Sequence, residues 1–138
     1  MIAFAVDTSA LMAVLNDEAD AMAYRQAFHE ADEMVVGTAT LFEAGCVVSR
    51  GKLQSGHLRL EMLVERLSPT VVAFDLDQMA VARSAYLRFG RGSGHPASLN
   101  MGDCFAYALA MTRQLPLLFK GDDFIHTDIV PALKLPET

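Results

Sequence analysis

Ile2-Ala3-Phe4-Ala5-Val6-Asp7-Thr8-Ser9-Ala10-Leu11-Met12 is the stretch on which the reading of the whole chain turns. Ile2 to Val6 are apolar or small and contain no turn former, which is the pattern of a strand buried on both faces in a parallel sheet. The change to Asp-Thr-Ser-Ala-Leu marks the strand's end running into a helix. Asp7 then stands at a carboxyl end, where open α/β sheets bind their ligands. A second reading is local: the side chain of Asp7 or Thr8 accepts from the free N–H groups at the start of the helix.

Outward from this unit the same alternation recurs. Glu18 to Ala31 spaces Ala19, Met22, Ala23, Ala27 and Ala31 as one apolar helical face. Met34 to Gly37 reads as a short strand, and Thr38 to Arg50 as a helix stopped by Gly51. Glu43 falls in the first turns of that helix, where Thr40-Leu41-Phe42-Glu43 also fits a capping box. Ser55 to Leu67 is a third helical stretch, with His57 at its start as a surface residue. Thr70 to Phe74 is a strand, and Leu76 to Phe89 a helix with Met79, Val81, Ala82, Ala85, Tyr86 and Phe89 inward and Gly90 as its stop. Residues 90–98, GRGSGHPAS, read as a mobile surface loop and lack the Gly-Lys-Ser/Thr of a phosphate loop. Arg88, Arg91 and His95 around it are candidates to touch phosphate. Asn100 caps an alanine-rich helix through Met111 that carries Asp103 in its first turn. The helix dipole alone would favour an acid there. Leu115 to Phe119 is a last strand, followed directly by Asp122 and Asp123, with Phe124, Ile125, Ile129 and Val130 placed to cover the sheet edge and Pro131 to Thr138 as a tail. The order predicts one domain over 1–138: a mostly parallel central sheet with helices on both faces, joined by right-handed crossovers.

Composition narrows the function. With 138 residues, 52% of them hydrophobic, a core can be buried without staples. Cys46 and Cys104 read as reduced core thiols, the start lacks a basic leader region, and no apolar run reaches a membrane span, so a soluble cytoplasmic protein is expected. A net charge of −6 argues against broad phosphate binding, which leaves local basic groups or bound cations to hold any nucleic acid.

Asp7, Glu43, Asp103 and Asp122 or Asp123 all map to strand ends or to first helical turns beyond them, and in a parallel sheet those positions share one rim. Two carboxylates about 4 Å apart repel by about 4 kcal/mol at an effective dielectric near 20, so such a cluster needs protons or cations. Oxygen donors without Cys or His favour Mg²⁺ or Mn²⁺ over zinc. A cation so held suits phosphodiester hydrolysis.

VDTSAL at 6–11, TLFEAG at 40–45, HPASLNMGDCFAYALA at 95–110 and LPLLFKGDDFIHTDI at 115–129 resemble, in that order and over essentially the whole chain, the PIN-domain ribonuclease toxins of the VapC type. The resemblance implies a PIN-like three-layer α/β/α fold and a Mg²⁺- or Mn²⁺-dependent endoribonuclease. It also implies a VapB-type antitoxin as partner, and a homodimer. It carries the family's acids onto Asp7, Glu43 and Asp103, with Asp7 and Asp103 as direct metal ligands. The fourth acid is Asp122 or Asp123, and Asp122 is preferred because it lies nearer the strand end. Thr8 or Ser9 would support the site by hydrogen bonding. A receiver-like phosphoacceptor module, with Asp75 and Lys120 as its acid and lysine, and a catalytically silent RNA-binding domain are the alternatives.

Overall fold

A computed structural model describes residues 1–134. The elements are β1 (Ala3–Val6), α1 (Thr8–Leu15), α2 (Ala21–Glu30), β2 (Glu33–Gly37), α3 (Thr38–Arg50), α4 (Gly56–Leu67), β3 (Thr70–Val72), α5 (Leu76–Phe89), α6 (Met101–Arg113) and β4 (Leu117–Leu118). The four strands form one parallel sheet in the order β3-β2-β1-β4.

Alternation along the strands divides the core in two. Phe4, Val6, Val36 and Leu118 point to one face and pack against Leu11 of α1, Tyr24 and Phe28 of α2, Ala44 and Val48 of α3, and Leu60 and Leu63 of α4. Ala5, Val35, Val72 and Leu117 point to the other, against Ala85 and Phe89 of α5 and Ala106 and Leu109 of α6. This is the expected three-layer α/β/α arrangement, and its sheet is wholly parallel. The crossovers step outward from β1 to β3 over one face and return to β4 over the other, as right-handed connections require. The direction of winding therefore reverses beside β1, and the crevice between the carboxyl ends of β1 and β4 is the topological switch point. Asp7 lies there, with its N–H donating to the Leu118 carbonyl at 3.0 Å.

Several expectations are corrected. The helix expected from Glu18 begins at Ala21, because Glu18 and Asp20 turn their carboxylates to the Lys120 ammonium instead. The last strand shrinks to Leu117–Leu118, since Pro116 has no N–H to give and pairs through its carbonyl alone, which accepts from Ala5 at 2.9 Å. Tyr86, expected inward, is 44% exposed. The loop 90–98 is anchored at both ends: Leu99 N–H donates to Phe89 O at 2.8 Å, Arg91 N–H donates to Leu99 O at 3.0 Å, and the His95 ring meets Phe89 edge-on at 4.9 Å. Ala97 and Leu99 are core residues. Phe124 and Ile129 do cover the sheet, while Ile125 and Val130 remain exposed. The first part of the expected tail pairs along β4 through Pro131, and residues 135–138 lie outside the described residues. Cys46 and Cys104 are free thiols, the second buried. No helix among the described residues is long and apolar enough to cross a membrane.

Candidate active site

Asp7 ends β1 with extended backbone and caps α1, so the local reading and the rim position both hold for it. Its Oδ2 accepts from the Ser9 N–H at 3.0 Å and from the Ser9 hydroxyl. That hydroxyl in turn accepts from the Lys120 N–H at 2.9 Å, tying β1 to the end of β4. Burial pushes the Asp7 carboxyl up to about 6, and the charge of Glu43 pushes in the same direction.

Glu43 reaches the same rim from α3. The Thr40 capping box does not form: Gly37 caps the helix, and Thr40 and Glu43 both lie inside it. The Glu43 carboxylate is held from the other side, where the Thr8 hydroxyl donates to Oε1 at 2.6 Å. Its Oε2 rests on the backbone of Gly102, where an added Cβ would sit 1.5 Å away.

Asp103 is at the start of α6 in a complete capping box with Asn100: its N–H donates to Asn100 Oδ1 at 2.8 Å, and its Oδ2 accepts from the Asn100 N–H at 2.9 Å. The side chain is 8% exposed. Burial first, then the charges of Asp7, Asp123 and Glu43, drive its carboxyl up to about 7, against the backbone bond to Asn100. Three elements from distant parts of the chain thus deliver acids that feel one another. The fourth acid acting on Asp103 is Asp123. Asp122, preferred from its nearness to the strand, lines a neighbouring cleft of about 520 Å³ with Asp20, Tyr24 and Lys120. Gly121, at φ +108°, turns the chain between the strand and this pair, and consecutive side chains then diverge.

The phosphoacceptor reading loses its geometry. Asp75 follows β3 and Lys120 follows β4, the two outer strands, with β2 and β1 between them, a separation of about 14 Å at the usual strand spacing. Asp75 caps α5 through the Gln78 N–H at 2.9 Å, and Lys120 is held by Glu18 and Asp20.

The chemistry of the donor set suits a divalent cation. Asp7 and Asp103 are buried, mutually repelling, and bonded to the protein through Oδ2, so that each keeps Oδ1 out of those bonds. Among the described residues, no three His, Cys, Asp or Glu side chains are grouped closely enough to hold an ion by themselves. Two carboxylates that each keep one oxygen out of protein hydrogen bonds fit Mg²⁺, which keeps several waters and is bound through one or two protein carboxylates.

Two grooves share Phe42, Cys46 and Ser49 of α3, and one of them reaches Glu43. One of about 590 Å³ runs between α3 and α4, lined by Leu41, Phe42, Cys46, Leu60 and Val64, with Glu61 and Glu65 beside them. The other, about 560 Å³, starts at Glu43 and Gly102 and runs along α3 past Phe42 and Cys46 to Arg50.

A model of the PIN domain matches residues 4–130. Relatives are similar over nearly their full length: Mycobacterium tuberculosis ribonuclease VapC28 is 46% identical over 128 residues, covering 93% of this chain and 96% of the relative. This chain belongs to the PIN-domain family, in its VapC branch. Ribonuclease VapC42 of the same species is 40% identical over 127 residues, covering 92% of this chain and 97% of that VapC protein. Among solved PIN-domain structures, the sarcin-ricin loop cleaving toxin VapC20 of M. tuberculosis superposes with a TM-score of 0.73 at 18% identity, covering 92% of this chain and 96% of that one. A toxin–antitoxin complex from Klebsiella pneumoniae superposes with a TM-score of 0.69 at 14% identity, covering 96% and 99%. At those identities the likeness speaks for the fold.

Sequence reasoning missed Gly102, although a glycine in the first turn of an otherwise alanine-rich helix was the available signal. Gly102→Ala should displace the Glu43 carboxylate, whose flexible end gives way easily, at little cost in folding because Ala favours a helix by about 1 kcal/mol over Gly. The expected result is at least a roughly tenfold fall in RNA cleavage with an unchanged or raised melting temperature.

Proposed function

We propose that this chain is the ribonuclease toxin of a toxin–antitoxin pair and hydrolyses RNA phosphodiester bonds with Mg²⁺ or Mn²⁺. The observation that carries the reading is the pair of buried, upward-shifted carboxyls of Asp7 and Asp103 at the switch point of the sheet. The VapC relatives at 40–46% identity, named as ribonucleases, support it.

A divalent cation bound at this rim would polarise a phosphate and lower the pKa of a bound water toward neutrality. Asp7 and Asp103 are the residues that would hold it. Ser9 and Asn100 fix the two carboxylates by occupying Oδ2. Glu43, steadied at Oε1 by Thr8, is left with Oε2 to accept a proton from an attacking water. Asp123, on the same side as Asp103, is the fourth acid in this reading and takes the part first given to Asp122. The test is cleavage by Glu43→Gln: activity should fall by roughly a hundredfold or more at nearly constant melting temperature, because Gln keeps the bond to Thr8 but not the base. Cleavage at the wild-type rate would remove Glu43 from the chemistry.

The partner reading follows the grooves. An antitoxin segment with apolar anchors and a basic side chain fits the groove between α3 and α4, which has Glu61 and Glu65 beside its apolar residues and shares Phe42 and Cys46 with the groove that reaches Glu43. α4 lines this groove together with α3, whereas α2 does not, and neither Met22 nor Met62 is part of its wall. The groove supplies most of the affinity, since an exposed charge pair contributes only about 0–1 kcal/mol. Replacing the antitoxin's basic residue should therefore restore cleavage more than it loosens the complex, read by titrating both together. For the homodimer, the face of α5 and α6 with Phe74, Tyr86 and Leu87 is the apolar surface that suits a second copy. Light scattering checks it.

A further inference from the structure

The groove that leads from Glu43 to Arg50 has a chemistry of its own. Phe42, Glu43, Cys46, Ser49 and Arg50 share one face of α3, and the opposite wall is Met101, Gly102 and Phe105 at the start of α6. Phe42 and Met101 are 75% and 70% exposed, although each stands beside a buried or catalytic group. The ion pairs among the described residues use Arg25 and Lys120 and leave Arg50 free. Glu43 and Arg50 are seven positions apart on the helix, about 10.5 Å, so the groove is a few nucleotides long at most.

We infer that this groove is a subsite for an unpaired nucleotide of the RNA next to the cleaved bond, with its base on the Phe42 ring and a neighbouring phosphate on Arg50. The inference rests on the ribonuclease reading and assigns that reaction a nucleotide subsite on α3. A base held in a duplex cannot reach an apolar groove beside the acids, whereas an unstacked base can lie on an aromatic ring. The charge pattern gives the direction: carboxylates at one end take the reacting phosphate through a cation, and the lone guanidinium at the other end takes the next phosphate without one. The surrounding surface of this acidic chain offers little non-specific attraction, so stacking carries a large share of the binding.

Phe42 is exposed and Phe42→Ala should fold normally, which circular dichroism checks. The experiment measures binding of a short fluorescein-labelled single-stranded RNA of mixed sequence, and of its blunt duplex, by anisotropy with Ca²⁺ as the cation. Wild type should prefer the single strand, Phe42→Ala should bind it about tenfold more weakly, and Phe42→Trp should match the wild type. Arg50→Ala should reduce the salt dependence of log Kd by about 0.7. Equal affinities for wild type and Phe42→Ala would overturn the subsite, as would equal binding of duplex and single strand. A Phe42→Ala chain that loses antitoxin but keeps RNA affinity would assign the groove to the protein partner instead. A wild type that neither binds nor cleaves RNA would fail the ribonuclease reading, and the subsite with it.

Discussion

Asp103→Asn should cleave RNA roughly a hundredfold or more slowly than the wild type and yet melt at a higher temperature without metal. Both halves come from one cause. The folded protein holds the Asp103 carboxyl at about 7 and the Asp7 carboxyl at about 6, against 3.8 for a free side chain. A carboxyl whose folded pKa is raised favours folding in its protonated form. Its contribution is complete below the unfolded value and is lost as pH rises through the folded one. From pH 4 to pH 8 the metal-free wild type should therefore lose on the order of 3 kcal/mol for each acid. Asn removes that slope and keeps the capping box, since its side chain can still accept from the Asn100 N–H. Asp7→Asn should behave likewise. Thermal melts at pH 5 and pH 8 with chelator present read the stability half. A steeper pH dependence in either variant would contradict it.

Phe124→Ala should be among the most damaging changes in the fold. Phe124 is 2% exposed and packs on Phe119 with ring centroids 5.1 Å apart, and its carbonyl accepts from both the N–H and the hydroxyl of Thr127, at 3.0 and 2.7 Å. Truncating a buried Phe costs about 3–5 kcal/mol, or roughly 10–20 °C in melting temperature for a chain of this size. The ring also pins the segment that carries Asp123. Activity below the melting transition should fall as well, and Phe124→Leu should recover most of both losses. Denaturant melts with parallel cleavage rates check this, and near-wild-type stability in Phe124→Ala would show that Phe119 alone closes this part of the core.

Much of this was legible because residues that strands disfavour stand where the chain leaves β1 and β2 and where its helices begin. The run from Phe4 to Asp7 placed the first acid correctly, and Gly37, Asp75 and Asn100 each mark a helix start where the chain changes period. Glu43 is legible as a site acid but fits a cap equally well, because TLFE matches the capping pattern locally; its partner, Thr8, is distant in sequence and meets it only through the β1-α1-α3 packing. Between Asp122 and Asp123, sequence gives distance from a strand end but not that it is the charge of Asp123 that acts on Asp103. The clamp of Lys120 on Glu18 and Asp20 joins residues about a hundred positions apart, and no periodicity announces it. Gly102 is a glycine because a carboxylate from another helix lies on it, a fact of tertiary contact.

If Asp7 and Asp103 together hold a divalent cation for RNA hydrolysis, as proposed, the chain purified without antitoxin and followed on total RNA in Mg²⁺, in Mn²⁺ and in chelator, beside Asp7→Asn and Asp103→Asn, gives the deciding result. Cleavage is expected with either cation, none in chelator, and at most about one-hundredth of the wild-type rate in both variants. Equal cleavage in chelator, or wild-type rates in both variants, would contradict it.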